Sequence, residues 1–252
     1  MELQGKKAIV TGGAQGIGEA YVRALARGGA SVAIVDLNAA RAADLARELG
    51  DTAHHVIAIP ADVSKEIDCN ESVARCVSAF GGVDYLVNNA ASLRSYLAPP
   101  LSVLPYTEFA QIMEVNAHSV FLMTRAAAAE MKPRGGGAIV NTSSVASWLA
   151  DGAYAVSKAL INALTVTFAR ELGPFGIRVN AVAPGPVMTD GLRQIGSSRE
   201  KLVDWARQNG KPDTVIAEPE EIADTGLFLL SSKAKHINGQ ILFADGGTVV
   251  RL

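Results

Sequence analysis

Short runs that are apolar at almost every position recur along this chain, with helical patterns between them. That alternation restricts the possible folds more than any other feature. KAIVT (7–11) is the first run, and the helical pattern GIGEAYVRALARGG (16–29) follows it. The pattern closes on two glycines, a common helix stop. SVAIVD (31–36) and ARAADLARELG (40–50) repeat the pair, again with a terminal glycine. Further runs are HHVIAIPADV (54–63), VDYLVNNA (83–90), GAIVNTSS (137–144), IRVNAVAPG (177–185) and GQILFADGG (239–247). Continuous apolar runs need cover on both faces, as strands of a parallel sheet have. The pattern therefore predicts an α/β fold, a doubly wound parallel sheet with helices on both faces. GGG at 135–137 reads as a loop entering a strand. No linker, repeat or low-complexity segment interrupts the pattern, so residues 1–252 are expected to form a single domain.

Composition removes several alternatives. Hydrophobic residues make up 49% of the 252 positions, enough for one sizeable core. The formal net charge is -2 and no basic stripe is present, so no nucleic-acid partner is expected. Cys69 and Cys76 are seven apart, which matches no metal or redox spacing. They read as ordinary helix residues in a reducing compartment. His54, His55, His118 and His236 are scattered, and no metal site is expected. The opening MELQGKKAIVTGG enters a strand without a secretory pattern. No apolar run is long enough to span a bilayer, so the expected location is cytoplasmic with no membrane partner.

TGGAQGIG (11–18) joins the first strand to the first helix. Gly12, Gly16 and Gly18 permit a tight turn and close backbone approach, and the helix start offers free amides to a phosphate. The strand–turn–helix context is the one in which a glycine pattern signals dinucleotide binding. The second strand ends in Asp36, where a carboxylate accepts hydrogen bonds from an adenosine ribose. Ala14, Gln15, Leu37 and Asn38 are uncharged, and no cation stands nearby in sequence to receive a 2'-phosphate. NAD is therefore expected over NADP.

In DGAYAVSKALINALTVTFARELG (151–173), Tyr154 and Lys158 are four residues apart, which stacks them on one helix face. Tyr-x-x-x-Lys alone is common. Here it stands in a series. TGGAQGIG, ADV (61–63), NNAA (88–91), Asn116, NTSS (141–144), YAVSK (154–158) and APG (183–185) follow one another as in the short-chain dehydrogenase/reductase family. The chain resembles the single-domain type of that family from residue 5 to about residue 250. The resemblance implies a Rossmann-like fold with seven parallel strands, a nicotinamide cofactor across the sheet's C-terminal edge, and hydride transfer at an alcohol or ketone carbon.

The resemblance also implies roles. Tyr154 matches the proton donor, Lys158 its partner, Ser144 the residue that orients the carbonyl, and Asn116 the helix-breaking asparagine. Asp62 and Val63 match an adenine-contacting pair, and Asn89 and Ala90 a cofactor-side wall. Gln15, Ile17, Leu37, Pro184, Gly185 and Val187 complete the expected cofactor surface, with Thr189 at the nicotinamide carboxamide. The chemistry is coherent on its own terms. A free tyrosine has a pKa of about 10, so acting near neutrality needs a shift of roughly three units. An ammonium one turn away supplies part of it in a water-poor cleft. Ser144 would donate to the substrate oxygen. Asn116 would hold a water that connects Lys158 to solvent.

Three departures from the family pattern bear on substrate. Ala91 stands where glycine is usual. Ser144 and Tyr154 are only ten residues apart, and SLRSYLAPPLSVLP (92–105) is longer than usual. One wall of the site is expected to be retracted and another extended. Val145, Ala146, Trp148 and Leu149 would line the first; Leu93, Tyr96 and Leu97 the second. Trp148 either lines an apolar pocket or packs against a neighbouring subunit. Residues 186–213 read as a lid over substrate. The helix 154–172 is apolar on more than one face, through Ala159, Leu160, Ala163, Leu164, Val166 and Phe168. One face can cover the sheet; the resemblance implies that the other pairs across a two-fold axis, with the helix near 106–131 joining it in a four-helix contact, so a homotetramer is expected, with a dimer next. The leading expectation is an NAD-dependent secondary-alcohol dehydrogenase or ketone reductase whose small-molecule substrate is apolar or aromatic. The alternatives are an NADP-dependent 3-oxoacyl-type reductase and a non-catalytic NAD-binding regulatory protein. An epimerase or dehydratase would usually need a separate substrate domain.

Overall fold

The computed structural model of the protein describes residues 3–50, 55–92, 95, 97–149, 152–194, 196–208 and 216–249. Seven strands form one parallel sheet: β1 (Lys7–Thr11), β2 (Ser31–Asp36), β3 (Val56–Pro60), β4 (Tyr85–Asn88), β5 (Gly137–Thr142), β6 (Ile177–Pro184) and β7 (Ile241–Ala244). Their order is β3-β2-β1-β4-β5-β6-β7. β1 lies between β2, where Val10 faces Ile34, and β4, where Val10 faces Val87. The chain builds outward from β1 to β3 and then crosses to β4. That reversal opens a crevice at the C-terminal ends of β1 and β4, where doubly wound folds bind ligands.

The helices are α1 (Gly16–Arg27), α2 (Ala39–Gly50), α3 (Glu66–Phe80), α4 (Tyr106–Met113), α5 (Ser119–Met131), α6 (Ala146–Leu149), α7 (Gly152–Leu172), α8 (Asp190–Gln194), α9 (Arg199–Gln208) and α10 (Pro219–Leu230). α1, α2 and α10 cover one face of the sheet through buried Tyr21, Leu25, Leu45 and Leu227. α3, α5 and α7 cover the other through Cys69, Cys76, Met123, Met131 and Phe168. Apolar runs sandwiched this way lose water from both faces, at about 25 cal/mol per Å² of apolar area. Both cysteines are free and buried, and burial pushes their thiols up to about 12. His55 is exposed, and His54 lies outside the described residues.

The strands are shorter than the apolar runs that predict them, for a physical reason. The ends of the runs leave the ladder at the crevice. Ala61–Val63, Asn89 and Ala90, Ser143 and Ser144, and Gly185 all lie beyond a strand end and line the same cavity. The expected helix over 106–131 is also divided. Glu114–His118 forms a π-helical turn between α4 and α5, with Asn116 at its centre. Such a turn dislocates the regular hydrogen-bond ladder and is frequent at functional sites.

Candidate active site

The first element of the site is the turn after β1. Gly12 has a φ of 60°, and a side chain there would bring Cβ to 2.8 Å from the Ala90 Cα. A Cβ on Gly18 would collide with the Gly12 carbonyl oxygen. Glycine at both positions lets α1 and the exit of β4 close on the turn. Thr11 fastens this junction: its Oγ1 accepts from the backbone N–H of Asn89 at 3.0 Å and of Ala90 at 3.2 Å. The Asn89 Nδ2 donates to the Gly12 carbonyl at 3.1 Å. Gln15 caps α1 without a side-chain hydrogen bond. Gln15, Gly16 and Ile17 face a cavity of about 860 Å³, towards which the helix start directs its partial positive charge. Gly18 lies behind this surface rather than on it.

Asp36 borders the same cavity, as do Leu37, Asp62 and Val63. Its carboxylate accepts from the amides of Ala14 at 2.9 Å and Asn38 at 2.8 Å. Arg41 of α2 is nearer than the sequence suggests. Its Nε donates to the Ala14 carbonyl at 3.3 Å, and its Nη2 donates to Glu19 at 3.0 Å. The expectation of no neighbouring cation is corrected to that extent: the helical turn after Asp36 brings Arg41 back over the glycine turn. Arg41 is not part of the cavity lining.

The far side of the cavity floor carries the three residues expected to do acid–base work. Ser144, Tyr154 and Lys158 all line the cavity, and all are buried. The Lys158 Nζ donates to the Thr142 carbonyl at 2.7 Å and lies 5.5 Å from the centroid of the Tyr154 ring. Burial pushes the Lys158 ammonium down to about 7, because little water remains to solvate the charge. The Thr142 carbonyl was not foreseen as its partner; the signal was its place at the end of the apolar run 137–142. Ser144 Oγ accepts from the Ala146 amide at 3.1 Å, which leaves its proton available. Asn116 is not on the cavity wall. Its Oδ1 accepts from the Ser92 amide at 2.7 Å, and its Nδ2 donates to Ser157 Oγ at 3.1 Å. It thus ties the extended wall to the back of α7.

Val145, Ala146 and Leu149 line the cavity as expected for the retracted wall, and Leu97 for the extended one. Trp148 does not line it: its ring lies on Phe243 of β7, centroids 4.5 Å apart. The one-turn helix α6 turns Leu149 and Trp148 to different sides. Leu93 and Tyr96 lie outside the described residues, as do 195 and 209–213 of the lid. Asn89, Ala90, Pro184, Gly185, Val187 and Thr189, expected on the cofactor side, line the cavity too. Ser92, Val115, Lys201 and Leu202 also line the cavity. No local motif marks these four, since tertiary packing alone brings them there. No helix among the described residues is long and apolar enough to cross a membrane.

These groups suit a nicotinamide dinucleotide. The close-packed glycine turn and helix amides would fit a pyrophosphate, Asp36 a ribose, and the Tyr154–Lys158 side of the floor a nicotinamide beside a carbonyl substrate.

Known proteins agree with this construction. A family model described as enoyl-(acyl carrier protein) reductase matches residues 12–249. An uncharacterized oxidoreductase of Mycobacterium tuberculosis is 46% identical over 246 residues, 98% of each chain. A 7 alpha-hydroxysteroid dehydrogenase, solved with NADH and 7-oxo glycochenodeoxycholic acid, superposes with a TM-score of 0.89 at 33% identity, covering 100% of this chain and 97% of that one. A short chain dehydrogenase from Burkholderia cenocepacia in complex with NADP gives 0.87 at 34% identity, over 98% and 99%. With its seven-stranded parallel sheet, its glycine turn and full-length relatives of this kind, the chain is an oxidoreductase of the short-chain dehydrogenase/reductase family.

Proposed function

We propose that the protein interconverts a secondary alcohol and a ketone, using NAD(H), on a substrate with a bulky apolar body. The observation that carries this reading is the convergence of Ser144, Tyr154 and Lys158 on one cavity that also holds the glycine turn and Asp36. The nicotinamide, when bound, supplies or accepts the hydride. In the reductive direction, Tyr154 gives its phenolic proton to the carbonyl oxygen. Ser144 donates a hydrogen bond to that same oxygen as it gains charge. A phenolate left on Tyr154 favours the charged form of Lys158, offsetting the burial that otherwise discourages it. Oxidation runs these proton movements backwards, with Tyr154 as base. One domain carries the whole site, with 186–213 as its lid.

The NAD preference rests on Asp36, whose negative charge at the ribose position repels a 2'-phosphate. Arg41 favours a second reading, an NADP-dependent 3-oxoacyl-type reductase, in which the guanidinium would turn from Glu19 to the phosphate. Substrate size is inferred from the lining by Leu97, Val115, Val145, Leu149 and Leu202. The similar 7 alpha-hydroxysteroid dehydrogenase is solved with 7-oxo glycochenodeoxycholic acid bound, which supports a large ketone here. We also propose a homotetramer, since Val156 and Val166 of α7 and Phe121 of α5 are 40%, 51% and 39% exposed. A monomer by light scattering at micromolar concentration would contradict that assembly. The test of function compares kcat/KM for NADH and NADPH with polycyclic ketones and with 3-oxoacyl thioesters. NADH with polycyclic ketones should be best, and Asp36→Ala should narrow the cofactor preference. An NADPH preference with acyl thioesters would establish the second reading instead.

A further inference from the structure

Ser144 sits where the chain leaves β5, on a segment that regular secondary structure does not hold. Ser143 and Ser147 flank it. The Ser144 carbonyl accepts from the Ser147 amide at 3.1 Å and from Ser147 Oγ at 2.7 Å. Having given its proton to that carbonyl, Ser147 Oγ can only accept from another donor. It accepts from Asn162 Nδ2 at 3.0 Å. The other end of the same amide, Asn162 Oδ1, accepts from Ser143 Oγ at 2.6 Å. Ser143 Oγ also lies 3.4 Å from the Lys158 carbonyl, a second and longer acceptor on the same helix. Asn162 lies on α7 one turn beyond Lys158 and two beyond Tyr154. The Asn162 amide therefore ties both sides of Ser144 to the helix that carries Tyr154, with the longer Ser143–Lys158 contact beside it.

We propose that Asn162, acting through Ser147, is a positioning residue that sets the Ser144 hydroxyl against Tyr154. Neither side chain lines the cavity, so neither touches substrate. A catalytic donor works only when held near its productive geometry, and a displacement of about 1 Å can cost about 100-fold.

The proposal rests on the reading that Ser144 contacts the reacting oxygen, and the test separates the two. Ser147→Ala, outside the cavity, is the primary variant, with Asn162→Ala as the second and Ser147→Thr, which keeps the hydroxyl, as the rescue. Ser147→Ala and Asn162→Ala should lower kcat for ketone reduction about 10- to 100-fold. NADH affinity by fluorescence titration should remain at the wild-type value, and so should the pH optimum. Ser147→Thr should recover most of the rate. Amide exchange in the 143–149 segment should quicken in Ser147→Ala and not in Ser147→Thr. In a Ser144→Ala background, Ser147→Ala should add almost nothing, because the group it positions is gone. If Ser144→Ala itself leaves kcat unchanged, the role of Ser144 is wrong and the proposal falls with it. If Ser144→Ala is slow but Ser147→Ala stays within about twofold of wild type, or its loss multiplies fully in the Ser144→Ala background, the positioning role is refuted while that of Ser144 stands.

Discussion

The floor of the cavity is fastened by hydrogen bonds between side chains and backbone. Asn89 and Ala90 hang on Thr11, Asp36 holds the Ala14 amide, and Lys158 reaches the Thr142 carbonyl at 2.7 Å. On the rim, Leu97 is 64% exposed and Leu149 52%, and neither is fixed by such a bond. The floor is specified by directional hydrogen bonds and by glycines that nothing larger can replace. The walls are specified by apolar bulk alone, which is non-directional. A chain can thus keep one reaction and change its substrate by altering wall side chains while the floor stays intact.

This contrast makes substitutions in the two regions differ in kind. The largest effect is expected on the floor. Tyr154→Phe should lower kcat by about 10²- to 10⁴-fold, with NADH affinity and melting temperature little changed, as read by steady-state kinetics and fluorescence titration. Next comes the scaffold below the floor. The Arg178 guanidinium of β6 donates to the carbonyls of Leu229 at 2.7 Å, Leu230 at 3.0 Å and Ser231 at 3.1 Å, closing the end of α10. Arg178→Met leaves those carbonyls without their donor and should cost about 3 kcal/mol in denaturant unfolding, with kcat per folded molecule preserved. A wall substitution should reverse that pattern. Leu149→Ala should stay within about 0.5 kcal/mol in stability, yet raise KM for an apolar ketone by up to about tenfold.

The smallest effect concerns pH. Burial pushes Lys158 down from 10.5 to about 7 in the folded chain. Below pH 7 the folded protein bears the full cost of that buried charge. Between about 7 and 10.5 the unfolded chain holds the proton while the folded one has lost it, so wild-type stability rises with pH on this account. Methionine does not titrate. The melting temperature of Lys158→Met minus that of wild type, without cofactor, should therefore fall between about pH 6 and about pH 9. A difference independent of pH would show that Lys158 keeps its charge throughout.

The floor was largely legible in the sequence because its chemistry requires particular residues at particular spacings. Gly12, Gly18 and Asp36 could be named from the strand–turn–helix pattern, Ser144, Tyr154 and Lys158 from the family resemblance, and the strands from continuous apolar runs. The walls were legible only as lengths. Trp148 was open between pocket and subunit contact because its partner, Phe243, is distant in sequence and nothing local announces the pair. Arg41 and Asn162 escaped notice for a related reason. Each acts through groups brought close by folding: Arg41 through Glu19 and Ala14, Asn162 through Ser143 and Ser147. The π turn at Glu114–His118 was foreseen only as a helix break at Asn116, since the local sequence carries no proline or glycine to mark it.

The central claim is that the floor transfers hydride between an alcohol carbon and a nicotinamide. The most direct measurement is oxidation of a secondary alcohol carrying deuterium on its carbinol carbon, with NAD+ and the wild-type protein, followed by mass analysis of the reduced cofactor. The account predicts deuterium on the reduced nicotinamide in a one-to-one ratio with the ketone formed. Tight NADH binding with no transfer of label from any alcohol in a panel spanning small, aromatic and polycyclic members would contradict it, and would leave a dinucleotide-binding protein without this chemistry.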